Sequence, residues 1–349
     1  MNLSNNWKRI CFKIKQNLPR TSLTFFNRKR LNLRLSYPPT SPSPHLPITL
    51  PPPLPLFTIG LSLLLLNEVT LKAVAIEPLV QSLPALKPTQ PAALEQLNQG
   101  LALIQQGKLP DAIAAFQQAA ELNPQLAPAH YNLGLALRQA GQLQASADAF
   151  YRATQIDSNF AMAYANLGAA LLEGNNLLQA REYLSRALEL EPNLGVAHYN
   201  YGLVLSQLGE QEKAIAAFKS AMEFSTNAPE PAYHLGLIYL QQSKVNEARK
   251  AFEQAIKINS KYPEAHYNLG SILFNEENFE AALEAFRKAA QSNSNYANAY
   301  YGAGLVFLHQ NRWSDAQEVL QYAKDLYSSQ GNVQWARQAE ELLNQLPSS

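Results

Sequence analysis

Six histidines and one cysteine are the residues of this 349-residue chain that nucleophilic, acid–base or metal chemistry would use first. Their spacing argues against all three. His130, His198 and His266 are each separated by two full periods of the repeat that organises the chain, so they cannot share a metal ion within one molecule; aromatic packing against the next helix is the plainer expectation. Cys11 stands alone, which removes both an intrachain disulfide framework and a cysteine-based zinc site. It also lacks the small apolar neighbours of a lipid-attachment cysteine. Gly302-Ala303-Gly304 looks like half of a dinucleotide fingerprint, but a third glycine and a preceding strand are missing. No catalytic residue, metal ligand or cofactor is expected.

Hydrogen-bonding and aromatic side chains recur instead. Asparagine stands at 98, 132, 166, 200 and 268 (Asn98, Asn132, Asn166, Asn200, Asn268), with His234 and Gly302 at the two remaining steps. One residue earlier come Tyr131, Tyr199, Tyr233, Tyr267 and Tyr301; three residues after the asparagine position come Leu135, Leu203 and Leu237. Tyr131, Leu135 and Gln139 are spaced i, i+4, i+8, one stripe along a helix, and Tyr199–Leu203–Gln207 and Tyr233–Leu237–Gln241 repeat it. A ladder of amides can bond donor and acceptor groups of a bound backbone without reading side chains, and tyrosines add flat amphipathic area. The competing expectation is that these amides and rings finish the packing between helices.

What must position these residues is a strict period. Gly100, Gly134, Gly168, Gly202, Gly236, Gly270 and Gly304 recur at one constant interval, with no insertion between them. Sixteen residues after each stands Phe116, Phe150, Leu184, Phe218, Phe252, Phe286 or Leu320, and three further on alanine every time: Ala119, Ala153, Ala187, Ala221, Ala255, Ala289 and Ala323. Each period holds two helical patterns. Ala129–Ala140 is followed by Gly141 as a left-handed stop, and Ser146–Ile156 ends at Asp157-Ser158-Asn159. Glycine against a neighbouring helix allows close backbone approach, with the phenylalanine filling the adjoining groove.

These columns resemble the tetratricopeptide repeat family over roughly Ala93–Asp325, a family whose unit is a helix–turn–helix of about 34 residues. The resemblance implies an all-α solenoid, a right-handed superhelix whose first helices line a concave face. That geometry would put the asparagine, tyrosine and leucine columns in a peptide-binding groove. The asparagines are similar to the ladder in the repeat region of O-GlcNAc transferase, where matching residues hold an extended peptide. A lysine/asparagine clamp for a terminal carboxylate is not supported, because Leu97, Tyr131, Ala165, Tyr199, Tyr233, Tyr267 and Tyr301 include no lysine. Ser146 replaces the usual alanine, and Ser158, Thr226, Ser260 and Ser294 replace a helix-ending proline, which predicts looser turns there.

Charge divides the chain into unlike regions. Residues 1–53 carry nine basic residues and no acid, whereas from Pro88 onward 17 basic residues face 25 acidic ones, a net of −8. The overall +1 is their near-cancellation, and acidic repeats do not suit phosphate binding, so no nucleic acid is expected. Residues 1–53 read as a basic, proline-rich disordered leader and 54–75 as an apolar signal or anchor segment. Residues 76–92 are a linker, 93–327 seven repeats (93–126, 127–160, 161–194, 195–228, 229–262, 263–296, 297–327), and 332–345 a capping helix. Leu54–Leu66 is 13 uncharged residues, short of the ~20 that span a bilayer, and Ala73-Val74-Ala75 supplies a signal-peptidase pattern. The repeats are therefore expected on the non-cytoplasmic side, exported or membrane-tethered, with a cytoplasmic or organelle-targeted chain as alternatives. Met162 is the first methionine after Met1, so translation starting near Leu54 would also account for the leader. The function expected is a non-enzymatic scaffold holding an extended segment or a helix of another protein, with no small-molecule substrate. Alternatives are a non-catalytic recognition subunit of a glycosyltransferase or other envelope assembly machinery, and a structural or self-associating spacer.

Overall fold

The computed structural model describes residues 91–347, and all regular structure in them is helical. The leader and the apolar segment lie outside the described residues. The helices are α1 (Pro91–Gln105), α2 (Leu109–Leu122), α3 (Ala127–Gln139), α4 (Leu143–Ile156), α5 (Ala161–Glu173), α6 (Leu177–Leu190), α7 (Gly195–Gln207) and α8 (Gln211–Phe224). They continue with α9 (Glu230–Gln241), α10 (Val245–Ile258), α11 (Pro263–Asn275), α12 (Phe279–Ser292), α13 (Ala297–His309), α14 (Trp313–Ser329) and α15 (Val333–Asn344). They form helix–turn–helix units, and they divide into two compact bodies, one ending at Ile238 and one beginning at Tyr239.

The turn inside each unit is the same device. In the first, Gly107 N–H donates to the Ile104 carbonyl at 2.9 Å and Lys108 N–H to the Leu103 carbonyl at 2.9 Å, which satisfies two of the carbonyls left open at a helix end. The pivot residue must adopt a left-handed conformation. Gly107, Gly141 and Gly209 do so at φ 72°, 75° and 78°, but Asn175, Ser243, Glu277 and Asn311 hold the same place at φ 59°, 58°, 59° and 57°. The turns between units are closed by side chains. Asp157 Oδ1 accepts from Asn159 N–H, Asn259 Oδ1 from Lys261 N–H and Asn293 Oδ1 from Asn295 N–H, each at 3.0 Å. At Ser158 and Ser294, where serine replaces proline, the turn is no looser, with Tyr296 N–H reaching the Asn293 carbonyl at 3.1 Å. Phe160 N–H reaches the Asp157 carbonyl at 3.2 Å, the same distance as Leu194 to Glu191 beside Pro192.

The period has a steric cause. A Cβ built on Gly134 or Gly202 would stand 2.7 Å from the ring of Phe150 or Phe218, and one on Gly270 2.8 Å from Phe286. These rings are fully buried and cannot swing away, so first and second helix approach each other only through glycine. Ser146 fits the alanine column because its hydroxyl donates to the Gly134 carbonyl at 2.8 Å. Burying a polar side chain costs little once it is hydrogen-bonded. The histidines are bonded too: Nε2 of His130, His198 and His266 donates to the carbonyls of Pro124, Pro192 and Ser260 at 3.2, 2.8 and 2.9 Å. They pin the turn between units, and His198 also stacks on an aromatic neighbour, Phe224, at 5.5 Å.

Both ends of the helical array are polar. Ala129, Ala163, Ala197 and Ala265 are fully buried, yet the corresponding residue of α1 is the exposed Glu95, followed by exposed Asn98, Gln99 and Gln105. At the other end α15 packs on α14 through Trp335, Ala339 and Leu342, with Trp335 edge-on to Tyr301 at 5.3 Å. Gln338 of α15 falls in the glycine column, one period after Gly304. Among the described residues no second helix follows it, so that place does not require glycine.

Candidate functional site

The amide column lies at the seam between units. Asn132, Asn166, Asn200 and Asn268 retain 7%, 9%, 2% and 4% exposure. Nδ2 of Asn132, Asn166 and Asn268 donates to the carbonyl four residues back, Pro128, Met162 and Glu264, at 2.8, 3.0 and 2.8 Å. What the column faces is clear from its two exceptions. His234 stacks on Phe218 at 5.7 Å and 17°, and a Cβ on Gly302 would sit 2.7 Å from Phe286. Each ring belongs to the unit before. Asn98, on the first helix, is the exposed member. The Oδ1 atoms of Asn132 and Asn200 are buried and accept no hydrogen bond from the described residues.

Tyrosines of the neighbouring column rest on the phenylalanine of their own unit, Tyr131 on Phe150 at 5.7 Å, Tyr199 on Phe218 at 6.0 Å and Tyr267 on Phe286 at 5.7 Å. Tyr199, Tyr267 and Tyr301 are buried, while Tyr131 and Tyr233 are half-buried. Burial pushes the Tyr301 hydroxyl up to about 12, helped by the nearby Glu341 carboxylate; burial and then Glu230 push Tyr199 up as well. These phenols stay neutral hydrogen-bonding groups. Of the leucines, Leu203 and Leu237 are buried, and Leu135 stays half-buried beside the exposed Gln139.

One polar cluster escaped the sequence reading. Arg138 donates through Nε and Nη2 to Glu173 Oε1 at 2.8 and 2.6 Å, and through Nη1 to Asn166 Oδ1 at 3.3 Å. Asn166 Nδ2 also donates to the Tyr131 hydroxyl at 3.2 Å. The two charged side chains keep only 10% and 12% exposure. This links α3 to α5 and saturates Asn166, which distinguishes it from Asn132 and Asn200. The partners stand one period plus one residue apart, and no other unit carries arginine at the place of Arg138, so no column reveals the pair. Among the described residues no three His, Cys, Asp or Glu side chains are grouped to hold a metal ion, and no described helix is long and apolar enough to cross a membrane.

This arrangement is an array of stacked helix–turn–helix units. Sequence profiles of the tetratricopeptide repeat match residues 100–141, 127–160, 161–194, 183–216, 233–297 and 273–331. The chain belongs to the tetratricopeptide repeat family, whose members bind other proteins. Among solved structures, a tetratricopeptide repeat protein from Parabacteroides merdae matches at TM-score 0.56 and 17% identity, covering 72% of this chain and 100% of that one. The Cut9–Hcn1 hetero-tetramer of the APC/C matches at TM-score 0.54 and 18% identity, over 61% of this chain and 42% of that one. Both likenesses concern the fold. YrrB, described as a repeat protein with an unusual peptide-binding site, matches at TM-score 0.45 and 26% identity, over 56% of this chain and 99% of that one. No curated protein matches the sequence.

Proposed function

We propose that the chain is a non-enzymatic scaffold that holds an extended segment of a partner protein against the first helices of its units. The observation that carries this reading is the stripe on α3, where half-buried Tyr131 and Leu135 lead to exposed Gln139. Half-buried Leu101 and exposed Asn98 and Gln105 continue it on α1. Apolar area edged by uncharged amides suits a backbone that must keep its hydrogen bonds while burying side chains. The buried asparagines would act through this surface by fixing the seams beneath it, and Asn98 would contact the partner directly. The polar ends of the array favour a scaffold over an end-to-end spacer.

The test separates binding from folding. Leu135→Asp and Asn98→Ala, made in the full chain, are expected to reduce recovery of crosslinked partners while helical circular dichroism stays unchanged. Asn132→Ala, Asn166→Ala and Asn200→Ala together are expected to lower thermal stability as well. Undiminished recovery with Leu135→Asp would reject the stripe as the binding surface.

A further inference from the structure

Tyr183 of α6 stands where other units carry Ala115, Ala149, Ala217, Ala251 and Ala285, with Val319 in the last. Five units therefore close with a single methyl group at this step, so a phenol is not what the stacking requires. The ring rests on the buried cluster of Ala147, Phe150, Leu167 and Ala170 and yet stays half-buried. Two more tyrosines of the same compact body converge on it. Tyr151 of α4, 43% exposed, meets it edge to face at 6.5 Å and 69°. Half-buried Tyr164 of α5 stacks on it at 6.2 Å and 30°. The place of Tyr151 is equally free of a packing demand, since Gln117, Ser185 and Lys219 fill it elsewhere. Tyr183 also sits among acids: burial first, and then Tyr151, the exposed Glu182 and Tyr164, push its phenol above the ordinary value of 10. The cations adjacent in sequence are engaged with other groups. Arg181 pairs with Glu210 at 3.1 Å and Arg186 with Glu189 at 3.0 Å, while Arg152 acts on His130.

We propose that Tyr151, Tyr164 and Tyr183, with Glu182, form a docking site for a lysine side chain of a partner protein. The ammonium lies against the ring faces, where the aromatic quadrupole attracts a cation, and its protons go to phenol oxygens and the carboxylate. Charge complementarity selects this occupant. The chain from Pro88 onward carries a net −8, and an aliphatic side chain would cover the same rings while leaving Glu182 without a counter-charge. Shape separates lysine from arginine. Tyr151 and Tyr183 make a corner at 69°, which admits a compact ammonium, whereas a flat guanidinium needs a slot between parallel rings. The rings nearest to parallel, Tyr164 and Tyr183, already stack on each other. Because Tyr183 is anchored on the cluster beneath it, the site is ordered before a partner arrives, which lowers the entropy lost on binding. This surface on α4, α5 and α6 is a second point of attachment, separate from the stripe on α1 and α3.

Replacing Tyr183 with fluorotyrosine in the full chain tests this by fluorine NMR, with N-acetyl-lysine methylamide and its norleucine and arginine counterparts as probes. The lysine probe is expected to shift the resonance saturably and to bind ~10-fold more tightly than the norleucine probe, within the ~2- to 30-fold that a cation–π contact supplies. It should also bind more tightly than the arginine probe. Tyr151→Gln and Glu182→Gln, both at exposed positions, should each weaken the lysine probe by ~3-fold or more, with helical circular dichroism unchanged. The absence of a saturable shift, equal affinity for norleucine, arginine binding as tight as lysine, or lysine binding undiminished in both variants would each overturn the proposal. Asn98→Ala, which probes the stripe, should leave the titration unaltered, so either surface can fail while the other stands.

Discussion

His234 is expected to cost the body that ends at Ile238 stability in acid. It stands where five other units carry asparagine, with its ring on Phe218 at 5.7 Å and beside Tyr199 at 5.8 Å and Tyr233 at 5.3 Å. Desolvation among these rings lowers its pKa from 6.5 to about 4. A histidine with a depressed folded pKa stabilises the fold fully above the unfolded value, and that contribution is lost as pH falls from 6.5 toward 4. Between about pH 7.5 and pH 5 the loss is at most ~2 kcal/mol. The ring is half-buried, so solvent screening reduces that figure. The assay is urea unfolding followed by circular dichroism for the native chain and His234→Asn. Burial also depresses His130 and His266, but both are present in each protein and cancel in the comparison. The native midpoint should fall by up to ~1 M urea more than that of the variant over this interval, for a slope of ~2 kcal/mol/M. Equal shifts in the two proteins would refute the assignment of acid lability to His234.

Three further substitutions probe the scaffold. Gly202→Ala places a Cβ 2.7 Å from the buried Phe218 ring and should cost ~1–3 kcal/mol, read as a lower melting temperature; no change would mean the helices are not held at that distance. Glu277→Gly and Ser243→Gly relieve left-handed conformations at φ 59° and 58° and should each raise stability by ~0.5–1 kcal/mol, seen as a higher urea midpoint. Arg138→Met leaves Glu173 buried without its cation and should cost ~3 kcal/mol, whereas Arg138→Met/Glu173→Leu should recover most of that loss; a double variant as unstable as the single one would show that packing, not unpaired charge, was lost.

The glycine, phenylalanine and alanine columns were legible because each expresses a steric demand that recurs at one spacing, as Gly134 against Phe150 does. The left-handed pivot was legible at Gly141 but not at Glu277, since only glycine advertises that conformation in its type. The face presented by the asparagines was harder. Residues adjacent in sequence, such as Tyr131 and Asn132, lie about 100° apart around a helix, so the period shows that they share a role without showing which one turns toward the preceding unit. Burial and the own-helix bond of Asn132 to Pro128 supply that direction.

A perfect repeat cannot choose where along itself a partner sits, because every unit offers the same surface. Selectivity has to come from places where the array departs from its own period. Several departures fall within the first five units. The stripe opens at Leu101 and Leu135, the Arg138–Glu173 pair locks α3 to α5, and Ala165 and Ala169 stand where other units carry tyrosine and leucine. His234 then replaces an asparagine at a seam. A segment bound as proposed along α1 and α3 would meet soft apolar area first and a saturated polar junction at Asn166 next. If the proposed scaffold function holds, that sequence of surfaces would give an otherwise uniform array a preferred register, and loss of Arg138 or Glu173 should blur register before it abolishes binding.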